Sequence, residues 1–223
     1  MIIYVKQTII GELNLHLRIL DPEKIEAKSF EIIEQEMGSH GFSLQEWTVV
    51  RRVIHASADF DLGRSVLFHP DAIRSGIVAL RKGCPIVADV QMVQVGINKT
   101  SCSRFGSRVY CSIGDRDVAR RAKAAGLTRA IISMRKSRHK LHGGIVAIGN
   151  APTALLEVIR LVREEGIIPA LIVGVPVGFV SAAEAKEELA KLQTPFITNR
   201  GRKGGTPVAV ATVNALLGLS AQG

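Results

Sequence analysis

His55 lies in the stretch "VIHASADF", where the apolar pattern of a helix gives way to Ala56, Ser57 and Ala58. Small neighbours leave an imidazole uncovered, and with an ordinary pKa near ~6.5 histidine both gives and takes protons at neutral pH. A histidine in the last turn of a helix also complements the negative helix end, which is the commoner role for an isolated one. Arg51 and Arg52 stand four and three residues before it, on nearby helix faces. The other histidines (His16, His40, His69, His139 and His142) sit in polar or loop contexts without a helical HxxxH pair, so no histidine-built metal site is expected. Cys84, Cys102 and Cys111 lack CxxC spacing, which argues against a disulfide framework and a zinc knuckle. No GxGxxG follows the first strand and no Walker lysine motif occurs, so ordinary nucleotide cofactors lose support.

Three loops carry the remaining candidates. In "IGNAPT", Gly149 allows close approach and Asn150 can cap a helix whose free N–H groups attract an anion. "VGVPVGF" makes a tight wall poor in side chains. In "NRGRKGGT", Arg200, Arg202 and Lys203 interleave with Gly201, Gly204 and Gly205, a pattern that presents guanidinium forks and bare amides to carboxylates or phosphates. Taken singly, such an asparagine is usually only a cap, such glycines only turns and such a basic loop only solvated. Three of them at one sheet edge read as a ligand crevice.

The elements that must position these residues follow from periodicity. "LDPEKIEAKSFEIIEQEM" predicts a helix with Asp21 as N-cap, Pro22 at its first position, and Ile25, Ser29, Ile32, Ile33 and Glu36 along one side. "SLQEWTVVRRVIHAS" opens on a capping box, Ser43 with Glu46, and places Leu44, Trp47 and Ile54 on one face. "HPDAIRSGIVALRKG" is a third helix, stopped at Gly83. Strands then alternate with helices: "PIVADV", "RVYCSI", "GIVAIG", "PALIVG" and "PFIT" as strands, the first of them opening the sheet. The helices are "APTALLEVIRLVREEG", "AAEAKEELAKL" and "TPVAVATVNALLG", with "DVARRAKAAGLTRAIISMRK" as one helix or two broken near Gly126. Such alternation predicts an α/β fold with a largely parallel central sheet between helix layers.

At 223 residues the chain fits one domain, residues 1–223, with a core of Val, Ile, Leu and Ala, since aromatics make up only 4%. No apolar run reaches the ~20 residues that span a bilayer, and Lys6, Glu12, His16 and Arg18 break any signal-peptide centre. A cytoplasmic protein without a membrane partner is expected. The net charge of +9 favours anionic partners. Scarce aromatics and the lack of an RRM- or KH-like signature speak against nucleic acid.

The blocks "SFEIIEQE", "RRVIHASAD", "PIVADVQMVQVGI", "GLTRAIISM", "AIGNAPTALLEVI", "ALIVGVPVGFVSAAEAKEEL" and "NRGRKGGTPVAVATVNALL" resemble, in order, the precorrin-8X methylmutase family of cobalamin biosynthesis. The likeness covers roughly residues 19 to 219 and leaves an N-terminal arm, residues 1–18, outside it. "NKTSCSRFG" departs from the family pattern. The resemblance implies a three-layer α/β/α fold, a homodimer and a polycarboxylate corrinoid substrate. It implies a methyl shift from C11 to C12 of the ring without a cofactor, any cobalt belonging to the substrate. By the same resemblance His55 is the proton donor and acceptor, and Ser29 and Arg129 bind substrate. Arg52, Asn150, Arg200, Arg202, Lys203 and Gly204 complete the expected binding set. Two other readings stand beside this one, a non-catalytic tetrapyrrole carrier and a basic RNA-binding α/β domain.

Overall fold

The computed structural model describes residues 21–222; the N-terminal arm, residues 1–18, lies outside them. The chain divides between His40 and Gly41 into two compact units. The first contains helix α1 (Pro22–Met37). Along it Ile33 and Met37 are buried, whereas Ile25 and Ile32 are exposed, so the buried stripe is narrower than the sequence pattern implies. The Ser29 hydroxyl donates to the Ile25 carbonyl one turn back, at 2.8 Å.

The second unit carries the sheet. Its elements are α2 (Leu44–Ser57), α3 (Phe60–Arg64), β1 (Val66–Phe68), α4 (Ala72–Arg81), β2 (Ile86–Ala88), α5 (Gln91–Gly96), α6 (Lys99–Arg104), β3 (Val109–Tyr110), α7 (Arg116–Ala125), α8 (Arg129–Leu141), β4 (Ile145–Ile148), α9 (Pro152–Glu165), β5 (Leu171–Gly174), α10 (Ala182–Leu189), β6 (Phe196–Asn199) and α11 (Thr206–Ser220). The strands lie in the order β1-β6-β5-β4-β2-β3. All neighbours pair in parallel except β1, which runs antiparallel to β6 at one edge. This strand is an addition to the sequence reading, in which "PIVADV" comes first; three residues are too few to show an alternation.

Successive side chains of a strand point to opposite faces, and both faces are covered. Val87, Val146, Ile148, Ile172 and Phe196 pack against Met134 of α8, Leu155 and Val158 of α9, and Leu189 of α10. Leu171, one residue from Ile172, points the other way, next to Gly76 of α4 and Leu216 of α11. The second layer is centred on α11, which is apolar nearly all round and packs against α2, α4 and α5. The result is the expected three-layer α/β/α arrangement.

Local signals set most boundaries. The Ser43–Glu46 capping box is formed in both directions. Gly126 closes α7 in the left-handed conformation and the Thr128 side chain caps α8, so "DVARRAKAAGLTRAIISMRK" is two helices. Leu44 departs from expectation: it is 84% exposed, while Trp47, Val50, Val53 and Ile54 carry the buried face of α2.

The turn after β4 also corrects the sequence reading. Asn150 is not the N-cap of α9; Ala151 is, without a side-chain cap. The amides of Gly149, Asn150 and Ala151 donate instead to the Asp89 carboxylate at 3.1, 2.8 and 2.7 Å. Asp89 directly follows β2 and is fully buried. Burial pushes its carboxyl above the ordinary carboxylate range, against the pull of the Ala151, Gly149 and Asn150 amides. The anion that these amides attract is therefore supplied by the chain itself.

Asp89→Ala leaves three amides without an acceptor, at roughly 1–3 kcal/mol for each one that stays dry. We expect urea denaturation to show a loss of about 3 kcal/mol or more, with Asp89→Asn, which keeps one acceptor oxygen, falling between the two. An unchanged midpoint for Asp89→Ala would show that water replaces the carboxylate without cost.

Candidate active site

His55 is exposed in the last turn of α2. The helix stops because Ala58 takes a left-handed conformation (φ 51°), a costly one for a residue with a Cβ, and its N–H closes on the Ile54 carbonyl at 2.7 Å. Asp59 then caps α3 through the Leu62 amide. Gly63 lets α3 fold back, since a Cβ there would collide with the Ile54 side chain. The exit from α2 is thus sharp, and nothing larger than alanine or serine intervenes between His55 and the turn.

The imidazole borders a groove of about 560 Å³ between α2 and α11. Thr48, Arg51, Arg52 and Ala56 line it from α2. Pro207, Val210, Ala211, Asn214, Ala215 and Gly218 line it from α11, small residues repeating at helical spacing so that the two helices approach closely. Asn98 and Ser101 form a third wall. That wall is held by α11: the Asn98 amide donates to Asn214 Oδ1 at 2.9 Å, and Asn214 Nδ2 donates to the Gly96 carbonyl at 3.2 Å. Arg51 and Arg52 thus stand on the same wall of the groove as His55. Thr48, Leu219 and Gln222 also border a larger hollow of about 770 Å³, with Leu44, Arg74, Ile77, Val78 and Arg81. No histidine lines that hollow, whereas His55 lines the groove.

Of the expected binding set, Arg52 lines this groove with His55. Asn98, Ser101 and Asn214 were not foreseen, because two of them lie in the stretch that departs from the family pattern and the third only matters once α11 packs beside it. Ser29 lies in the first unit. Arg129 opens α8 in the other helix layer, where Thr128 and Thr153 hydroxyls meet at 3.2 Å.

Arg200, Arg202, Lys203 and Gly204 stand together at the carboxyl end of the sheet. Parallel pairing of β4, β5 and β6 brings the three glycine-bearing loops side by side. The Gly205 amide donates to the Val175 carbonyl at 2.8 Å and the Gly178 amide to the Arg202 carbonyl at 3.2 Å. Gly204 (φ 149°) has no alternative, as a Cβ would run into the Val175 and Pro176 carbonyl oxygens. The carbonyls of Arg200 and Lys203 accept from Asn199 Nδ2 at 3.0 and 2.9 Å, and Lys203 O also accepts from Lys186 Nζ at 2.6 Å. With these carbonyls turned inward, the amides of Gly201, Arg202, Lys203 and Gly204 have no acceptor among the described residues. Such a row of amides favours an anion.

The three cations of the loop differ. Lys203 bonds Asp59 at 2.7 Å and holds that carboxyl below its ordinary pKa. The Arg202 guanidinium lies 5.7 Å from the ring centre of Phe179, which is 85% exposed. Arg200 has no side-chain partner among the described residues. A carboxylate arriving here would meet Arg200 and the amides first.

Lys186 is the residue that sequence reasoning passed over. It is 1% exposed, and no carboxylate lies within bonding distance among the described residues. Besides Lys203 O, its ammonium donates to Asn199 Oδ1 at 3.3 Å. Burial pulls its pKa down to about 8.

The structure thus sets a histidine and two arginines on one groove and a glycine-rich basic loop at the carboxyl edge of the sheet. The sequence model of the precorrin-8X methylmutase family matches residues 24–219. The cobalt-precorrin-8 methylmutase of Priestia megaterium is 59% identical over 197 residues, 88% of this chain and 88% of that one. The cobalt-precorrin-8 methylmutase of Leptospira interrogans is 54% identical, covering 89% and 94%. A crystal structure of precorrin-8X methylmutase from Thermus thermophilus superposes with a TM-score of 0.84 at 42% identity, covering 89% and 96%.

Lys186 also has a measurable signature. Its folded pKa lies below the unfolded value, so the unfolded chain binds the extra proton between about 8 and 10.5 and stability rises with pH across that window. The expected gain is on the order of 3 kcal/mol in wild type and absent in Lys186→Met. Urea titrations at pH 7 to 10.5 measure the difference between the two proteins; parallel pH profiles would contradict it.

Proposed function

We infer the reaction from membership: this chain belongs to the precorrin-8X methylmutase family, and it is an isomerase that moves a methyl group within the ring to give hydrogenobyrinate, or cobyrinate when the ring holds cobalt. The observation that carries our reading of the residues is His55 at the wall of a groove that Arg51 and Arg52 also line. The methyl migrates from C11 to C12 by a suprafacial 1,5-shift, which is easier when the π-system is electron-poor. His55 lends a proton near the migration site and recovers it afterwards. Arg52 faces one of the ring's acetate or propionate arms, and Arg200 with the amides of residues 201–204 takes another. The methyl-lined wall of α11 lies against the apolar ring and keeps water from it. No redox or organic cofactor enters this scheme, and any metal is part of the substrate. The names of the two relatives above 50% identity support cobalt-precorrin-8 as that substrate. No described helix is long and apolar enough to cross a membrane, and we place the reaction in the cytoplasm.

Incubation with cobalt-precorrin-8, followed by absorption, should show conversion to the spectrum of cobyrinate. His55→Ala should lower kcat by about 10²-fold or more while leaving cobyrinate affinity within about threefold. Turnover near the wild-type rate would make His55 only a cation at a helix end. Tight binding without turnover in wild type would favour a carrier, and binding of RNA that falls steeply with salt would favour the nucleic-acid reading.

We also propose a twofold homodimer. Arg129, a substrate residue by family resemblance, sits in the helix layer opposite α2, and we propose that the partner's Arg129 completes the site beside His55. Light scattering should give twice the monomer mass of 24.1 kDa, and mixing inactive His55→Ala with inactive Arg129→Ala should restore part of the activity. A fully active monomer would overturn the shared site.

A further inference from the structure

Lys186 is a buried cation that the methyl shift does not call for. Taking an ammonium out of water costs several kcal/mol unless something compensates it. Here two neutral oxygens, Lys203 O and Asn199 Oδ1, are its partners. An apolar residue of similar length would fill the same volume between α10 and the end of β6 at lower cost. The reason for a charge must therefore lie in what it touches.

It touches the underside of the anion-seeking loop. Gly201, Gly204 and Gly205 have φ of 74°, 149° and 125°, so the segment from Arg200 to Gly205 holds a backbone path that ordinary residues avoid. The path is useful for one thing. It turns the carbonyls of Arg200 and Lys203 towards Asn199 and Lys186, and leaves four consecutive amides without an acceptor among the described residues. If the Lys203 carbonyl swung outward, it would point its negative end at the anion the amides receive. The Lys186 ammonium and the Asn199 carboxamide hold it in. They also hold each other, since Asn199 accepts from Lys186 and donates to the same carbonyl.

The charge has a second consequence. With no carboxylate of the chain within bonding distance, its field is not cancelled locally and adds to that of Arg200 at the outer surface of the loop. A hydrogen-bond donor without charge could perform the first task but not the second.

We propose that Lys186 is a positioning residue for substrate binding, its buried ammonium holding the Lys203 carbonyl inward so that Arg200 and the amides of residues 201–204 receive a carboxylate of the corrinoid, which serves as its distant counter-ion. This rests on the reading that the loop binds substrate, and the test separates the two.

Four proteins are compared: wild type, Lys186→Met, Lys186→Gln, and Arg200→Gln/Arg202→Gln as a test of the loop itself. Each is assayed for KM and kcat with cobalt-precorrin-8, for cobyrinate affinity and for urea stability. Lys186→Met should raise KM and the cobyrinate Kd at least tenfold, leave kcat within twofold, and be as stable as wild type or more so near pH 7. Weaker binding in a protein that has not become less stable is what a merely structural lysine would not produce. Lys186→Gln keeps a donor without the charge and should fall between Lys186→Met and wild type; it also decides the matter should Lys186→Met fail to fold. If the double arginine variant binds weakly while both Lys186 variants bind like wild type, the role of Lys186 is refuted and the loop reading stands. If the double arginine variant binds like wild type, the loop reading falls and the role of Lys186 falls with it. A fall in kcat at constant KM would also refute it, placing Lys186 among the residues that act on the reacting atoms.

Discussion

Where a strand of a parallel sheet ends, its backbone leaves the ladder but remains inside the protein, and its N–H and C=O groups need new partners. Every other feature at the carboxyl edge depends on how this chain meets that need. After β4 the orphan groups are amides, and the buried carboxylate of Asp89 accepts all three. After β6 they are carbonyls, and Asn199 and the ammonium of Lys186 donate to them. The turn after β4 consumes its amides internally, whereas those of residues 201–204 after β6 have no acceptor among the described residues. Two glycine-bearing loops on one sheet edge, flanking the loop of β5, therefore have opposite relations to an incoming anion.

The same economy governs the basic side chains. Lys203 belongs to Asp59, four residues after His55 in sequence, and joins the exit of α2 to the loop after β6. Arg202 leans over Phe179. The chain keeps a surplus of nine positive charges, yet most of what stands near the reaction is committed to the fold, and the part left for substrate is small and specific. A corrinoid carries its carboxylates around an apolar ring, and dispersed single cations match that layout better than one dense basic face would.

The groove beside His55 is assembled by a different rule. α2 and α11 can lie close because their shared surface is built from small residues, and the third wall, Asn98 and Ser101, is hung from Asn214. Its residues come from three separate parts of the sequence. Asn98 and Ser101 thus set polar groups along a groove whose other walls are two helices far from them in sequence.

Periodic patterns, capping residues and left-handed glycines are local properties, and from them the longer helices and the strands β2 to β6 of residues 41–222, the three layers, the capping box at Ser43 and the break at Gly126 followed, whereas the short helices α3, α5 and α6 did not. His55 was legible for the same reason: its small neighbours are its neighbours in sequence. Asn150 was misread as a cap because Asp89, sixty residues earlier, reaches its turn only when β2 pairs with β4. Lys186 looked like one more solvated lysine on "AAEAKEELAKL", since nothing nearby in sequence shows that α10 turns that position towards the Asn199 end of β6. The short edge strand β1 had too few residues to form a pattern. The sequence by itself thus determined most of the elements and singled out His55 as the candidate proton carrier, because both are written within a few residues of each other. Only the tertiary structure decided which charges are spent on the fold and which remain for a ligand, because the hydrogen-bond partners of a turn are chosen by strand order, across distances along the chain that no local signal spans.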